Sequence, residues 1–146
     1  TLAYADLDDF KAVNDSLGHA EGDRVLRTTG QAVKKALRKT DIAARLGGDE
    51  FALLLPESDG QGAQRVVENL ERELREAFSA SSLEITCSIG VVSFLEPGVS
   101  ATDALAAADA LMYEVKRQGK AAVAFRVFGG APPDGFRDSG ASTGGA

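Results

Sequence analysis

The stretch that decides the fold is a short acidic turn between two apolar runs. It reads Arg45-Leu46-Gly47-Gly48-Asp49-Glu50-Phe51, and it is flanked by Ile42-Ala43-Ala44 and Ala52-Leu53-Leu54-Leu55. Because glycine accepts a positive φ angle, two apolar runs that meet at Gly47 and Gly48 predict a β-hairpin. The carboxylates at its tip are hard oxygen ligands for a divalent cation. Taken alone, Gly-Gly-Asp is more often a plain turn, so the chemical interpretation depends on the rest of the chain.

Hydrophobic periodicity predicts the elements around this hairpin. Strict alternation predicts a strand at 83–91, and short apolar runs predict strands at 2–7 and 123–127. A period of 3.6 predicts helices at 10–17, 23–37 and 61–78, and a further long helix marked by residues 105–115 that ends at Gly119. Residues 18–22 are expected to break the first helix from the second, and Ser100 or Thr102 is expected to cap the last one. The order β-α-α-β-β-α-β-α-β predicts one α/β domain whose mixed, mostly antiparallel five-stranded sheet is flanked by helices. Residues 129–146 are rich in Gly, Pro, Ser and Ala and predict a flexible tail.

Composition and charge argue against nucleic acid and membrane as partners of this domain. The net charge is −6 and the pI is near 4.8, which argues against a nucleic-acid groove. No apolar run is long enough to span a membrane, so we expect no membrane contact by this domain. The single cysteine, Cys87, cannot form an internal disulfide, which fits a cytoplasmic location. A small anionic substrate can still bind where a metal and a few cations neutralise it.

A second acidic run closes the first predicted strand. It reads Asp6-Leu7-Asp8-Asp9-Phe10-Lys11, and strand alternation places Asp6 and Asp8 on one face and Asp9 on the other. A carboxylate at a strand end and another in a neighbouring hairpin turn can hold one or two Mg²⁺ ions, while the helix that begins at Phe10 presents amides to phosphate. The competing interpretation is that aspartates cap this helix, and we favour it for at least one of Asp8 and Asp9.

Several motifs together resemble the GGDEF family of diguanylate cyclases. In chain order they are Asp6 to Lys11, Asn14-Asp15, Gly18-His19, Gly22-Asp23, Leu26, Arg45 to Phe51, Ala108-Asp109, Met112-Tyr113, Lys116 and Gly119-Lys120. The match runs from about Ala3 to about Phe128 with the motifs in the family's order and spacing. The resemblance implies that residues 1–128 form a GGDEF domain with a palm-like nucleotidyl-cyclase fold and a ferredoxin-like core.

The resemblance also implies a reaction and its cofactor. Two GTP molecules would give cyclic di-GMP and two pyrophosphates in a homodimer, where each 3′-hydroxyl attacks the α-phosphate of the other nucleotide. Mg²⁺ or Mn²⁺ would be held by the side chains of Asp6 and Asp49, with the Leu7 backbone carbonyl assisting. Glu50 matches a residue that binds metal or activates the 3′-hydroxyl, and the sequence leaves these two roles open.

The family pattern assigns the remaining substrate contacts to matching positions. Asn14 and Asp23 match the pair that recognises guanine, whose donors and acceptors suit a carboxylate and an amide. Cations at Lys11, Lys116 and Lys120 match positions that hold the β and γ phosphates. The other positions expected to line the nucleotide are Phe10, His19, Gly47 and Gly48. His19 shapes the nucleotide loop in this interpretation, and a structural role is the alternative.

A feedback site is implied upstream of the hairpin. Arg38 and Asp41 are separated by two residues and stand five residues before the hairpin motif, where the family has its inhibitory signature for the product, cyclic di-GMP. Arginine suits this role because its planar fork binds guanine edges and phosphate through paired hydrogen bonds. The alternative is an arginine that ends a helix and an aspartate in a turn.

Three departures from the family pattern qualify this expectation. Lys120 stands where arginine is usual and Ala121 where asparagine is usual, so we expect a weaker grip on phosphate. The Asp-x-Leu-Thr turn and helix that usually precede the first strand are missing, so we expect an N-terminally truncated domain with a sensory domain upstream.

The rival hypothesis is a catalytically silent GGDEF domain that acts as a receptor for cyclic di-GMP or GTP. Another palm-type cyclase with different base selection is a third possibility, against which Asn14 and Asp23 argue.

Overall fold

The structure is a computed structural model that describes residues 1–81 and 83–129. Its elements follow the predicted order: β1 (Leu2–Leu7), α1 (Phe10–Leu17), α2 (His19–Ala36), β2 (Ile42–Gly47), β3 (Glu50–Leu54), α3 (Gly60–Phe78), β4 (Cys87–Phe94), α4 (Ala101–Arg117) and β5 (Val123–Phe128). Apart from Gly129, the predicted tail at 129–146 lies outside the described residues.

The five strands form one sheet in the order β2-β3-β1-β4-β5. β1 is antiparallel to both of its neighbours, β2 and β3 form the predicted hairpin, and β4 and β5 are parallel. The predicted mixed, mostly antiparallel sheet is therefore confirmed. In this register Asp6 on the central strand lies opposite Glu50 on one side and Ser88 on the other.

Alternation along β1 sends its side chains into two cores on opposite faces of the sheet. Ala3, Ala5 and Leu7 enter the larger core, which is shared with α1, α2 and α3, whereas Tyr4 enters the smaller core beneath α4. Asp6 is two residues beyond Tyr4 and so points to the α4 face. This explains how a side chain of α4 can reach a carboxylate of the central strand.

The boundary between α1 and α2 differs from the prediction. α2 begins at His19, whereas residues 18–22 were expected to separate the two helices. Gly18 alone makes the break, because its φ of 86° is accessible to glycine and ends α1. Gly22 lies within α2 and does not interrupt it. The absence of a side chain at Gly22 leaves space that the Asn14 side chain fills, and a Cβ there would collide with Asn14.

The fourth strand is also shifted relative to the prediction of 83–91. It runs from Cys87 to Phe94, and residues 83–86 are not part of a strand. Pairing with β1 ends at the Leu7–Cys87 pair, so the alternating residues before Cys87 have no neighbouring strand to extend. At the other end, parallel pairing with β5 carries the strand to Phe94, opposite Phe128.

Ser100 caps α4, as one of the two predicted alternatives. Its hydroxyl oxygen accepts a hydrogen bond from the Asp103 backbone N–H at 3.0 Å, and its own O–H donates to the Asp103 carboxylate at 2.7 Å. We expect Ser100→Ala to lower the free energy of unfolding by about 1 kcal/mol in urea denaturation. Thr102→Ala is the matched control and should change it by less than about 0.5 kcal/mol. Equal losses in both variants would contradict the capping assignment.

Candidate functional site

Three predicted acidic residues meet where β1 ends beside the hairpin. Asp6 pairs in register with Glu50, and Asp49 occupies the turn between β2 and β3. The Leu7 backbone N–H donates to the Asp49 carbonyl oxygen at 3.1 Å, which ties the hairpin tip to the central strand. The structure therefore brings the predicted acidic positions to one corner of the sheet.

The most buried member of this group is Asp6, whose exposed fraction is 6%. Lys116 Nζ lies 2.6 Å from Asp6 Oδ1 and forms an ion pair with this carboxylate. Burial raises the pKa of Asp6 above its ordinary value, and the charges of Asp49 and Glu50 reinforce this shift, whereas Lys116 opposes it. The site thus holds a destabilised negative charge that a cation would stabilise.

The donor set fits a magnesium ion that also binds substrate phosphates. Within residues 1–81 and 83–129, no three His, Cys, Asp or Glu side chains are grouped closely enough to form a complete metal site. Mg²⁺ is commonly held by one or two carboxylates together with phosphate oxygens, so a complete protein cage is not required. The buried carboxylate of Asp6, which already attracts the Lys116 ammonium, is the group best suited to such an ion.

Tyr4 belongs to this corner but was not predicted. Burial, followed by the charge of Glu50 and a hydrogen bond to it, raises the pKa of Tyr4 to about 12. The phenol is therefore a neutral donor that can orient Glu50. The available signal was strand alternation, because Tyr4 and Asp6 are two residues apart on one strand and share a face.

The predicted phosphate-binding cations differ in their surroundings. Lys116 is held by Asp6 as described, and Lys120 Nζ lies 2.6 Å from Asp9 Oδ1 near the same end of β1. Lys11 projects from the first turn of α1 and pairs with Asp15 at 2.6 Å, with 88% of its side chain exposed. Lys116 and Lys120 therefore flank the acidic corner, whereas Lys11 is exposed and is paired within α1.

The predicted guanine-recognition pair lies where α1 meets α2. Asn14 is half-buried and packs against Gly22, and Asp23 is the next residue along α2, where it is exposed. His19 is exposed at the start of α2. Phe10 is 9% exposed and its side chain packs in the larger core, so it can offer a nucleotide only its backbone at the N-terminus of α1.

The two glycines of the hairpin leave the corner open. Gly48 has a φ of 49°, and no atom lies within 4 Å of the position that a Cβ on either Gly47 or Gly48 would take. The pairing of β2 with β3 shifts register between Arg45 and Gly47, which lets the chain turn at the tip. A side chain in this position would fill space beside the carboxylates.

The helix-cap interpretation of Asp8 and Asp9 is wrong for their side chains. Asp9 occupies the N-cap position of α1 with a left-handed φ of 55°, but its carboxylate makes no cap hydrogen bond. The Asp8 carboxylate instead accepts hydrogen bonds from the start of β4 and from the turn after α4.

The predicted inhibitory pair forms a compact loop beside a pocket. The Arg38 backbone N–H donates to the Asp41 carboxylate at 2.8 Å, and the Asp41 N–H donates to the Arg38 carbonyl at 3.1 Å. Both residues line an open pocket of about 600 Å³. Its charged lining consists of four basic residues and one acidic one: Lys34, Arg38, Lys39, Arg45 and Asp41. A pocket of this size and charge suits an anionic ligand.

Sequence comparison decides the family. A family model described as "Diguanylate cyclase, GGDEF domain" matches residues 1–122. The chain belongs to the GGDEF family. The palm-like nucleotidyl-cyclase fold expected from the resemblance is accordingly confirmed for this GGDEF domain.

Curated and structural relatives agree with this assignment. The GGDEF domain is 36% identical over 122 residues to diguanylate cyclase DgcP of Pseudomonas aeruginosa, which covers 82% of this chain and 18% of that protein. It matches the solved GGDEF domain of TpbB (YfiN) from Pseudomonas aeruginosa with a TM-score of 0.74 and 33% identity, covering 88% of this chain and 82% of the other. The GGDEF domain of DgcB from Caulobacter crescentus, solved in complex with c-di-GMP, gives a TM-score of 0.70 and 32% identity, covering 85% and 75%.

The length of the match sets the scope of the comparison. The GGDEF domain spans 18% to 36% of the length of its first curated relatives. In the parts of the chain that the structure describes, no helix combines the length and the apolar content that crossing a membrane requires.

Proposed function

We propose that this GGDEF domain is a Mg²⁺-dependent diguanylate cyclase that converts two GTP to cyclic di-GMP and two pyrophosphates as a homodimer. The observation that carries the proposal is the pairing of Asp6 with Glu50 beside the Asp49 turn, with Lys116 against Asp6. Four charged groups of this kind at one sheet corner suit phosphoryl transfer, where catalysis rests on positioning and charge neutralisation. Mn²⁺ is the alternative ion.

The residues of the corner divide the work in this proposal. Asp6, Asp49 and the Leu7 carbonyl would hold the ion, which when bound would neutralise charge that develops on the attacked α-phosphate. Lys116 would exchange its contact with Asp6 for the terminal phosphates, with Lys120 and Lys11 adding positive charge. Glu50, oriented by Tyr4, is placed either to complete the ion's ligands or to accept the proton of the attacking 3′-hydroxyl.

Recognition of the base would come from the junction of α1 and α2. A half-buried Asn14 amide and the Asp23 carboxylate offer the complementary groups for the guanine edge, and adenine would leave them unpaired. His19, Gly47, Gly48 and the Phe10 backbone would border the nucleotide.

A dimer follows from the chemistry of the product. Cyclic di-GMP contains two phosphodiester bonds, and in each the 3′-oxygen of one nucleotide bonds to the phosphorus of the other while pyrophosphate leaves. The open corner holds one set of acidic groups and one candidate guanine site, so a second copy would supply the other nucleotide. A cytoplasmic location and a sensory domain upstream stay predictions from the sequence.

The decisive experiment is a product assay. Purified domain, fused to a dimeric coiled coil, is incubated with GTP and Mg²⁺, and cyclic di-GMP and pyrophosphate are quantified by chromatography. We expect about one cyclic di-GMP for every two pyrophosphates and no turnover of ATP. Tight GTP binding without product would reject the cyclase proposal in favour of the silent receptor.

The basic pocket favours a second role for the same domain, binding of the product. We propose that Arg38 and Asp41 hold cyclic di-GMP and that occupancy lowers activity. Arg38 is exposed, so its guanidinium is available to a ligand, while Asp41 fixes its backbone. A silent domain would use this same pocket as its receptor site.

Arg38→Ala should weaken binding of cyclic di-GMP by about tenfold or more, because a paired, charge-assisted contact is lost. Isothermal titration calorimetry measures this directly, and initial rates with added product measure relief of inhibition. Arg65→Ala, an exposed arginine of α3, is the control and should leave the affinity unchanged. Unaltered product affinity in Arg38→Ala would remove the pocket from the proposal.

A further inference from the structure

The carboxylate of Asp8 links three segments near the candidate active site. Its exposed fraction is 7%, its Oδ1 accepts from the Ser88 hydroxyl at 2.6 Å, and its Oδ2 accepts from the Thr86 hydroxyl at 2.8 Å and from the Ala121 backbone N–H at 2.9 Å. The residue's own N–H donates to the Thr86 carbonyl at 2.9 Å. The end of β1, the start of β4 and the turn after α4 are thereby joined.

The turn after α4 has an unfavourable backbone. Lys120 and Ala121 have φ angles of 65° and 49°, in the left-handed region that non-glycine residues rarely adopt. Such a conformation persists only where its surroundings fix it. Two backbone hydrogen bonds do so here: Lys120 N–H donates to the Val115 carbonyl at 3.1 Å, and Ala121 N–H donates to Asp8. The bond to Asp8 is the stronger kind, because its acceptor is charged.

The side chain of Lys120 depends on this turn for its position. Its only described partner is Asp9, in a contact whose side chains are 41% and 69% exposed, so it adds little rigidity. We propose that Asp8 is a positioning residue for GTP binding: it holds the turn so that Lys120 faces the terminal phosphates. The proposal rests on the cyclase function above. In this assignment the Asp8 carboxylate acts through its hydrogen bonds to Ser88, Thr86 and Ala121 and not as a metal ligand.

The test compares two nucleotides that differ in their terminal phosphates. GMP shares the guanine contacts of 3′-deoxy-GTP but cannot reach Lys120, and 3′-deoxy-GTP lacks the attacking hydroxyl and so does not turn over. In calorimetry with Mg²⁺, Asp8→Asn should lower the affinity for 3′-deoxy-GTP by about tenfold, because the near-isosteric amide loses the charged acceptor that holds the turn. It should lower the affinity for GMP by less than about twofold. Ser88→Ala removes a hydroxyl donor but keeps the Ala121 bond, and should leave the ratio of the two affinities unchanged.

Two further measurements separate positioning from a general loss of structure. Lys120→Ala should lower the affinity of the parent domain for 3′-deoxy-GTP. In the Asp8→Asn background it should lower that affinity by less than a further twofold or so, since the effects of coupled residues are not additive. In the protein without nucleotide, amide hydrogen exchange at residues 119–121 should accelerate in Asp8→Asn and not in Ser88→Ala.

The outcomes that overturn the role of Asp8 differ from the outcome that overturns the cyclase function. Equal weakening of both nucleotides, additive effects with Lys120→Ala, or unchanged exchange in the turn would overturn the proposal while leaving the cyclase function intact. Failure of the parent domain to bind 3′-deoxy-GTP would instead overturn the proposed function and this inference with it.

Discussion

Asp49→Asn should lower the rate of cyclic di-GMP formation by about a hundredfold or more, because the amide removes the negative charge that the turn offers to a cation among the phosphates. The fold should tolerate the change. Asp49 lies at the hairpin tip, and the tie to β1 uses its backbone carbonyl, which the variant retains. Steady-state release of pyrophosphate with saturating GTP measures the effect.

The same substitution should affect stability in the opposite direction from activity. The charge of Asp49 helps to raise the pKa of Asp6, and a carboxyl with a raised pKa in the folded state destabilises the fold at pH values above that pKa. Removing Asp49 lowers the Asp6 pKa, so the free energy of unfolding near pH 7 should stay the same or rise. Glu84→Gln alters an exposed carboxylate that is not among the charges acting on Asp6, and it should change neither quantity. Full activity in Asp49→Asn would exclude the metal assignment, whereas lost activity with lost stability would indicate misfolding.

Local periodicity, together with the Gly-Gly turn, was sufficient to predict the order of the nine elements in the described residues. It failed where tertiary pairing sets the boundary of an element. The alternating pattern at 83–91 predicted a strand that begins too early, because alternation records exposure but not whether a neighbouring strand exists to pair. The sequence pattern places Gly22 in a helix break for a related reason. Its role is to admit the Asn14 side chain from another helix, which no local pattern encodes.

The candidate site shows the same division. The acidic residues at a strand end and a hairpin tip were predictable because antiparallel pairing brings such positions together. The partners of Asp8 were not, since Ser88 and Ala121 lie 80 and 113 residues away in the chain. An aspartate before a helix usually caps it, and here burial beside two hydroxyls and a free N–H gives the carboxylate more hydrogen bonds than the helix end would.

The largest effect on stability is expected at Gly90, where β4 passes beneath α4. A Cβ at this position would collide with backbone atoms of Ala108, Leu111 and Met112, and backbone cannot rotate away as a side chain can. Gly90→Ala should therefore lower the free energy of unfolding by about 3 kcal/mol or more, at the upper end of overpacking effects. The helix must shift outward, away from the small core that contains Tyr4.

Gly30→Ala in α2 is the matched substitution, because no atom lies within 4 Å of its Cβ position. It should raise the free energy of unfolding by about 0.5 to 1 kcal/mol, since alanine is the better helix former. Urea denaturation of both variants measures the contrast. An outward shift of α4 also moves Lys116 away from Asp6, so Gly90→Ala should weaken GTP binding even where the domain stays folded. Similar stability in the two variants would mean that the approach of α4 to the sheet is not set by Gly90.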